Sequence, residues 1–153
     1  MNQVIKKQAI LPRIDGILKD IDKLRHLALL PFDQFRAADQ ENFALAQFYL
    51  RQALEGVFHI GEHILSRLNG GRATEYKQIA QKLGEYNLVN HSFAENNLKK
   101  MAGYRNRLTH FYADVTPEEI YKVIKENLSD FSVFLEAIKG ILENPEKLGL
   151  KVE

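Results

Sequence analysis

The sequence contains no cysteine and no tryptophan, and it has only four prolines and nine glycines in 153 residues. The absence of cysteine excludes disulfide bonds, a thiol nucleophile and any zinc site that uses cysteine ligands. No apolar stretch approaches the roughly 20 residues needed to cross a bilayer, and the first residues lack the apolar core of a signal peptide. We therefore expect a soluble, cytoplasmic protein that makes no contact with a membrane.

Neither sign of charge is in large excess, because the sequence has 21 Lys and Arg residues and 20 Asp and Glu residues. The formal net charge of +1 excludes a chain that is basic throughout, as histones are, but it leaves room for a local basic site. Hydrophobic residues make up 45% and charged residues 27%, which is typical of a globular domain and unlike a disordered chain. We expect one domain over residues 1–153.

Apolar residues recur at helical spacing, and no segment shows the alternation typical of a strand. The pattern predicts an all-α, up-and-down bundle of about five helices joined by short connections. The predicted helices cover about residues 3–29, 39–69, 74–84, 92–110 and 116–143. Pro12 should kink the first helix or mark a late start, and Pro31 should end it.

Capping signals support several of these boundaries. Ser92 to Glu95 matches a capping box, in which the two side chains satisfy each other's backbone donors. Thr116 followed by a proline is typical of a helix start, and Thr74 is a candidate cap for the short third helix. The glycine pair Gly70–Gly71 is typical of a helix end.

Four bases and no acid lie between residues 99 and 110, namely Lys99, Lys100, Arg105 and Arg107. The chain after residue 112 has nine acids and five bases. A basic segment interleaved with aromatic residues can neutralise phosphates and stack on bases, which makes Lys99, Lys100 and Arg107 candidate RNA-binding residues. The alternative is a solvated helix face with a compensating acidic neighbour.

The string from Arg105 to Tyr112 carries the clearest chemical signal. On a helix at about 100° per residue Arg105 and Tyr112 nearly eclipse, whereas His110 lies about 140° from Arg105. The three side chains converge more easily if the helix ends near His110, or if two subunits pool their residues. An imidazole exchanges a proton near neutral pH, and a guanidinium holds a phosphate, so the pair suits metal-free attack of an RNA 2′-hydroxyl on its own phosphate. The alternative is a histidine that only caps the helix C-terminus.

A second string, from His59 to His63, matches the H-x-x-E-H pattern of a group of zinc proteases. Two histidines four residues apart share a helix face and could bind a metal, but nothing marks a third ligand and those proteases are far larger. The preferred interpretation is a polar stripe that lines a cleft or a subunit interface, formed by Gln52, Glu55, His59, Glu62, His63 and Ser66. We therefore expect no metal and no cofactor.

The spacing Arg105, four residues, His110, one residue, Tyr112 resembles the signature of the HEPN superfamily and, within it, the HepT-like toxins. Asn106 occupies the polar position that often follows the arginine in that family. The flanking segments 101–110 and 115–121 are similar to the family's lead-in and to the start of its final helix, and the likeness extends upstream through residues 52–68.

The resemblance implies a helical bundle that pairs two-fold and brings two copies of the motif to a shared cleft, where it acts as a metal-independent endoribonuclease. By this analogy His110 would activate the 2′-hydroxyl or assist the leaving oxygen, and Arg105 would stabilise the charge on the phosphorane. Asn106 would position the phosphate and Tyr112 would orient the site. A nucleotidyltransferase antitoxin would silence such a toxin by attaching AMP to Tyr112.

The family's neighbours also include substrate-binding subunits of nucleotidyltransferases, which keep a similar motif and cleave nothing. The alternative function is therefore a non-catalytic subunit that presents a nucleotide or substrate to a nucleotidyltransferase.

Overall fold

The computed structural model describes residues 3–110 and 115–153, and these form a helical bundle, as predicted. The elements follow in the order β1 (Val4–Ile5), α1 (Lys7–Ala28), α2 (Phe32–Arg36), α3 (Asn42–Leu65), α4 (Tyr76–Glu85), α5 (His91–Phe93), a π-helical turn (Ala94–Leu98), α6 (Lys99–Thr109), α7 (Pro117–Glu126), α8 (Ser129–Glu143), a 3₁₀ turn (Pro145–Leu148) and β2 (Lys151–Val152). The segment from α5 to α6 is one helix interrupted by the wider turn.

The prediction that the chain has no strand is wrong in one place. Strands β1 and β2 pair in parallel, with Val4 opposite Lys151, so the first helix begins at Lys7 rather than near residue 3. Two-residue strands are too short to show alternation, and their partner lies at the other end of the sequence.

The structure differs from the predicted bundle of five helices in two places: it has an additional short helix, α2, and its last predicted helix is divided in two. Helix α2 follows Pro31 and buries Phe35 completely. The predicted last helix divides after Glu126, where Asn127 leaves helical geometry, so that α7 and α8 pack as separate segments. Asparagine favours such interruptions because its side chain competes for backbone hydrogen bonds.

Two of the predicted helix starts differ in their caps. The amide groups of Ser92 and Phe93 donate to the Oδ1 atom of Asn90, at 2.9 and 3.3 Å, so the predicted capping box at Ser92 is wrong. Glu95 binds Lys99 instead, at 2.8 Å. The predicted Thr74 cap is also wrong, because α4 starts at Tyr76 without a side-chain cap.

The predicted start at Thr116 and the end of the first helix before Pro31 are confirmed, whereas the end of α3 and the effect of Pro12 differ from the prediction. The Oγ1 atom of Thr116 accepts a hydrogen bond from the Glu119 amide at 3.2 Å, with Pro117 in the first turn. Helix α1 runs through Pro12 without ending, and it stops before Pro31. Helix α3 ends at Leu65, four residues before the predicted end, and Gly70 follows with a φ of +70°.

Helix α3 is the central helix and packs against α1, α4, α6 and α7. Its apolar face is buried, as at Val57 and Ile64. A Cβ atom on Gly56 would lie 2.9 Å from the Ile17 side chain, so the glycine allows α1 to approach closely. The polar face of α3 stays partly exposed and supplies part of the site described below. Within the described ranges no helix is long and apolar enough to cross a membrane.

Candidate functional site

Helix α6 places Arg105 at a cleft and ends before His110. Thr109 is the last helical residue, and His110 follows in an extended conformation with φ −101° and ψ 96° and an exposed side chain. The predicted helix end near His110 is therefore confirmed. Tyr112 lies outside the described residues, so the predicted convergence of the three side chains stays a prediction.

The guanidinium of Arg105 is held between helices α3 and α4. Its Cζ atom lies 4.1 Å from the centroid of the Tyr76 ring, and its Nε atom lies 3.6 Å from Oε1 of Glu55. That separation is too long for a hydrogen bond, and Nε is buried with no hydrogen-bond partner in the described part of the chain. Its Nη1 atom donates to Oδ1 of Asn106 at 3.4 Å. Arg105 is thus fixed in place while its hydrogen-bonding capacity is incompletely used.

Arg105 borders a cleft of about 380 Å³, which we name the motif cleft. It is lined by Thr74, Glu75, Tyr76, Lys77, Arg105 and Asn106. His110 is not among the described residues that line this cleft.

A chain of contacts leads from Tyr76 to helix α1. The Tyr76 ring stacks on the buried Phe58 with centroids 5.0 Å apart, and its hydroxyl lies 3.2 Å from Nε2 of His59. The other ring nitrogen of His59 lies 2.7 Å from Nη1 of Arg13. These contacts fix the Tyr76 ring, and the ring in turn supports Arg105.

The partners of His59 determine its tautomer. An arginine only donates hydrogen bonds, so Nδ1 accepts from Arg13 and the ring proton sits on Nε2, which donates to Tyr76. Burial lowers the pKa of His59, and the Arg13 charge lowers it further. Burial also raises the pKa of the Tyr76 hydroxyl, although the Arg105 charge opposes this shift. The hydroxyl therefore keeps its proton and can donate it to a ligand.

A second cleft of about 480 Å³ lies on the other side of the His59–Tyr76 contact, and we name it the arginine cleft. Its lining includes Arg13, His59, Glu62, His63, Arg67 and Arg72. The predicted polar stripe lines a cleft in part. Residues 59, 62, 63 and 66 border this one, whereas Gln52 and Glu55 do not.

His63 and Arg67 connect the arginine cleft to strand β1. The backbone amide of Lys6 donates to Nε2 of His63 at 3.1 Å, and Nε of Arg67 donates to the Val4 carbonyl at 3.0 Å. Burial, together with the charges of Arg67 and Arg13, lowers the pKa of His63 to about 4. His63 is therefore neutral near pH 7 and adds no charge to the cleft.

The zinc interpretation of His59 and His63 finds no support in this geometry. Both ring nitrogens of His59 contact other side chains, and Nε2 of His63 accepts a backbone hydrogen bond. Across residues 3–110 and 115–153, no three His, Asp or Glu side chains group together in a way that could hold a metal ion.

The candidate RNA-binding residues Lys99, Lys100 and Arg107 do not line either cleft. Arg107 forms two hydrogen bonds with Glu119, at 2.6 and 2.9 Å, and Lys99 pairs with the exposed carboxylate of Glu95. Lys100 borders a separate cavity of about 260 Å³ between α3, α6 and α7. Glu119 therefore compensates the charge of Arg107, as the alternative interpretation of a solvated helix face with an acidic neighbour predicts.

Sequence reasoning missed three contributors to the site. Tyr76 stacks on the buried Phe58 and also supports the guanidinium of Arg105, and no local spacing in the sequence indicates the second contact. The positions of Arg13 and Arg72 could not be predicted, because no local spacing in the sequence connects these arginines to the residues that line the cleft with them.

Comparison with known proteins places the chain among helical nucleases. A family model described as Ribonuclease HepT-like matches residues 17–138. The chain is 23% identical over 130 residues to the tRNA nuclease HepT of Aphanizomenon flos-aquae, an alignment that covers 85% of this chain and 87% of that protein. It is 29% identical over 91 residues to the mRNA nuclease HepT of Shewanella oneidensis, which covers 60% of this chain and 68% of that protein.

Solved structures share the fold. The tri-AMPylated HEPN toxin of Shewanella oneidensis, solved in complex with its MNT antitoxin, superimposes with a TM-score of 0.77 at 24% sequence identity. The superposition covers 86% of this chain and 97% of the toxin. At this identity the likeness establishes the helical architecture.

Proposed function

The chain belongs to the HepT-like ribonuclease family, and from this premise we propose that it is a metal-independent endoribonuclease toxin of a toxin–antitoxin pair. The observation that carries the proposal is Arg105, which is held at the edge of the motif cleft beside Asn106, five residues before His110. The nuclease names of the two relatives support RNA as the substrate.

In the proposed reaction the RNA 2′-oxygen attacks the adjacent phosphorus, and the bond from phosphorus to the 5′-oxygen breaks. His110 accepts the proton of the 2′-hydroxyl or delivers a proton to the leaving 5′-oxygen, as an imidazole can near neutral pH. Arg105 donates to the phosphate oxygens as negative charge grows on them, and Asn106 positions the phosphate. The products are a 2′,3′-cyclic phosphate and a 5′-hydroxyl. The attacking oxygen belongs to the RNA itself, so this step consumes no water.

We propose that two copies of the chain pair to complete this site. His110 follows α6 as an exposed residue and is not among the described residues that line the motif cleft beside Arg105. A homodimer would bring a second motif to the same cleft and supply the missing group.

We further propose that a nucleotidyltransferase antitoxin neutralises this toxin by transferring AMP to Tyr112. The HEPN toxin of Shewanella oneidensis is AMPylated and bound to an MNT antitoxin, which supports this form of control. AMP on Tyr112 would place a bulky anion two residues from His110 and exclude the substrate phosphate.

A cleavage assay in EDTA tests the proposal. Wild type and His110→Ala, purified identically and shown by mass spectrometry to lack AMP, are incubated with transfer RNA and messenger RNA. We expect cleavage with cyclic phosphate ends by wild type alone. Equal cleavage by both proteins would refute the role of His110. No cleavage by either would favour the non-catalytic subunit of a nucleotidyltransferase.

A further inference from the structure

Four of the chain's eight arginines lie close to a carboxylate, but those of the arginine cleft do not. Arg36, Arg51, Arg105 and Arg107 each lie within 4.0 Å of a carboxylate. In the described part of the chain, no carboxylate comes that close to Arg13, Arg67 or Arg72, although all three border the same cleft.

The fold holds Arg13 and Arg67 in place by contacts with neutral groups, and Arg72 borders the same cleft as an exposed residue. Arg13 donates to His59, and Arg67 donates to the Val4 carbonyl and to Oγ of Ser66, at 3.0 and 2.6 Å. Glu62 is the one acid among the described lining residues, so the cleft has an excess of positive charge. Guanidinium groups gathered without counter-charges repel one another, and a bound anion relieves that repulsion.

The arginine cleft and the motif cleft adjoin at the contact between His59 and Tyr76. His59 lines the first and Tyr76 the second, and the two side chains are in contact at 3.2 Å. Only three contacts, of 2.7, 3.2 and 4.1 Å, separate the guanidinium of Arg13 from that of Arg105. An extended ligand whose phosphate lies at Arg105 would therefore reach Arg13 within a few nucleotides.

We propose that the arginine cleft binds backbone phosphates of the RNA strand next to the cleavage site, with Arg13 and Arg72 as the main contacts. This inference rests on the proposed function, because it requires a phosphate at Arg105. Guanidinium groups bind phosphate oxygens through paired donors, which suits a repeating phosphodiester better than isolated carboxylates. Such contacts hold the strand without selecting its sequence.

We expect the loss of the arginine cleft to weaken RNA affinity. Because Arg13 also contacts His59, which contacts Tyr76 beneath Arg105, affinity is measured with an RNA that cannot react, separately from cleavage. A fluorescein-labelled 12-nucleotide RNA with 2′-O-methyl groups measures this affinity, because its blocked 2′-oxygen cannot attack. Dissociation constants are determined by anisotropy over a range of salt concentrations, alongside cleavage of transfer RNA. The variants are Arg13→Gln/Arg72→Gln and the conservative Arg13→Lys/Arg72→Lys.

The matched control is Arg25→Gln/Lys139→Gln, which removes the same charge from two exposed residues away from both clefts. Circular dichroism and melting temperature establish that each variant is folded. For Arg13→Gln/Arg72→Gln we expect at least roughly tenfold weaker binding and a salt slope smaller by about 1.4, since each single-strand phosphate contact contributes about 0.7. The lysine pair should bind within a few-fold of wild type, and the control should bind as wild type does.

The outcomes separate this inference from the proposed catalysis. If no protein cleaves RNA but binding still depends on Arg13 and Arg72, the arginine cleft stands and the proposed ribonuclease activity fails. If cleavage depends on His110 while Arg13→Gln/Arg72→Gln binds the probe as wild type does, the inference is wrong. It is also wrong if that variant keeps its RNA affinity and loses only its binding to an antitoxin, because the cleft would then bind a protein.

Discussion

Helix α6 carries two arginines two residues apart, and the fold treats them in opposite ways. About 200° separates their side chains, so Arg105 reaches α3 and α4 while Arg107 reaches α7. Arg107 forms two hydrogen bonds of 2.6 and 2.9 Å with Glu119. Arg105 has Glu55 only at 3.6 Å, and its Nε atom is buried without a hydrogen bond in the described structure.

The difference separates an arginine whose donors are used within the fold from one whose donors remain for the ligand role that we propose. A bidentate pair with a carboxylate uses the donors of Arg107 and connects α6 to α7. An arginine that is supported by an aromatic face and a distant carboxylate keeps donors for an incoming anion. Substitutions that exchange these environments test the comparison directly.

The largest effect is expected from the loss of Arg105. Arg105→Gln should lower the rate of RNA cleavage by about 10² to 10³-fold, since it removes donors that stabilise charge in the transition state. The matched variant Arg107→Gln should cleave within a few-fold of wild type. Single-turnover rates with transfer RNA measure the effect of both substitutions. A comparable loss of rate in a folded Arg107→Gln variant would contradict the different roles assigned to the two arginines.

A smaller effect is expected from the side chain beneath Arg105. Tyr76→Leu removes the ring that lies 4.1 Å from the guanidinium and should lower the cleavage rate by about tenfold, the equivalent of a partly buried cation–π contact. Tyr76→Phe keeps the ring and loses only the hydroxyl contact with His59, so it should retain most of the rate. If Tyr76→Phe is as impaired as Tyr76→Leu, the hydroxyl is the important group and the ring does not position Arg105.

The smallest effect is expected on stability from the opposite face. Arg107→Gln should lower the free energy of unfolding at pH 7 by about 1 kcal/mol, because both partners of the pair are partly exposed. The hydrogen bond from Arg107 lowers the pKa of Glu119 below its ordinary value of 4.5, so the pair stabilises the fold above that pH and ceases to do so as the pH falls through the lowered value. Urea denaturation should show a larger difference between wild type and Arg107→Gln at pH 7 than at pH 3. An equal difference at both values would mean that Arg107 acts through packing.

Much of the fold followed from periodicity and caps, because long helices repeat their apolar residues and Thr116 and Pro117 mark a start locally. Strands β1 and β2 could not be predicted, because each is stabilised by a partner at the other end of the sequence. The ion pair beside them, between Lys6 and Glu153, joins residues 147 positions apart. The break after Glu126 depends on one asparagine and on how α7 packs, which no local pattern expresses.

The site was predictable where it is local in sequence and not where packing assembles it. Arg105 and His110 form a string with fixed spacing, and the polar stripe on α3 follows helical periodicity. Arg13 meets His59 across 46 residues, because the close approach of α1 to α3 brings them together. Packing also explains the two roles of Tyr76. This residue at the start of α4 contacts Phe58 in the core and Arg105 on α6.

The pairing of β1 with β2 has a consequence for the order of folding. Closing so long a segment costs more conformational entropy than forming any helical hairpin, so we expect these strands to join after the helices have packed. The Lys6 amide binds His63 and the Val4 carbonyl binds Arg67, so β1 fixes one wall of the arginine cleft. A chain whose helical core is complete would therefore still lack one wall of the arginine cleft, the proposed RNA surface, until β1 pairs with β2.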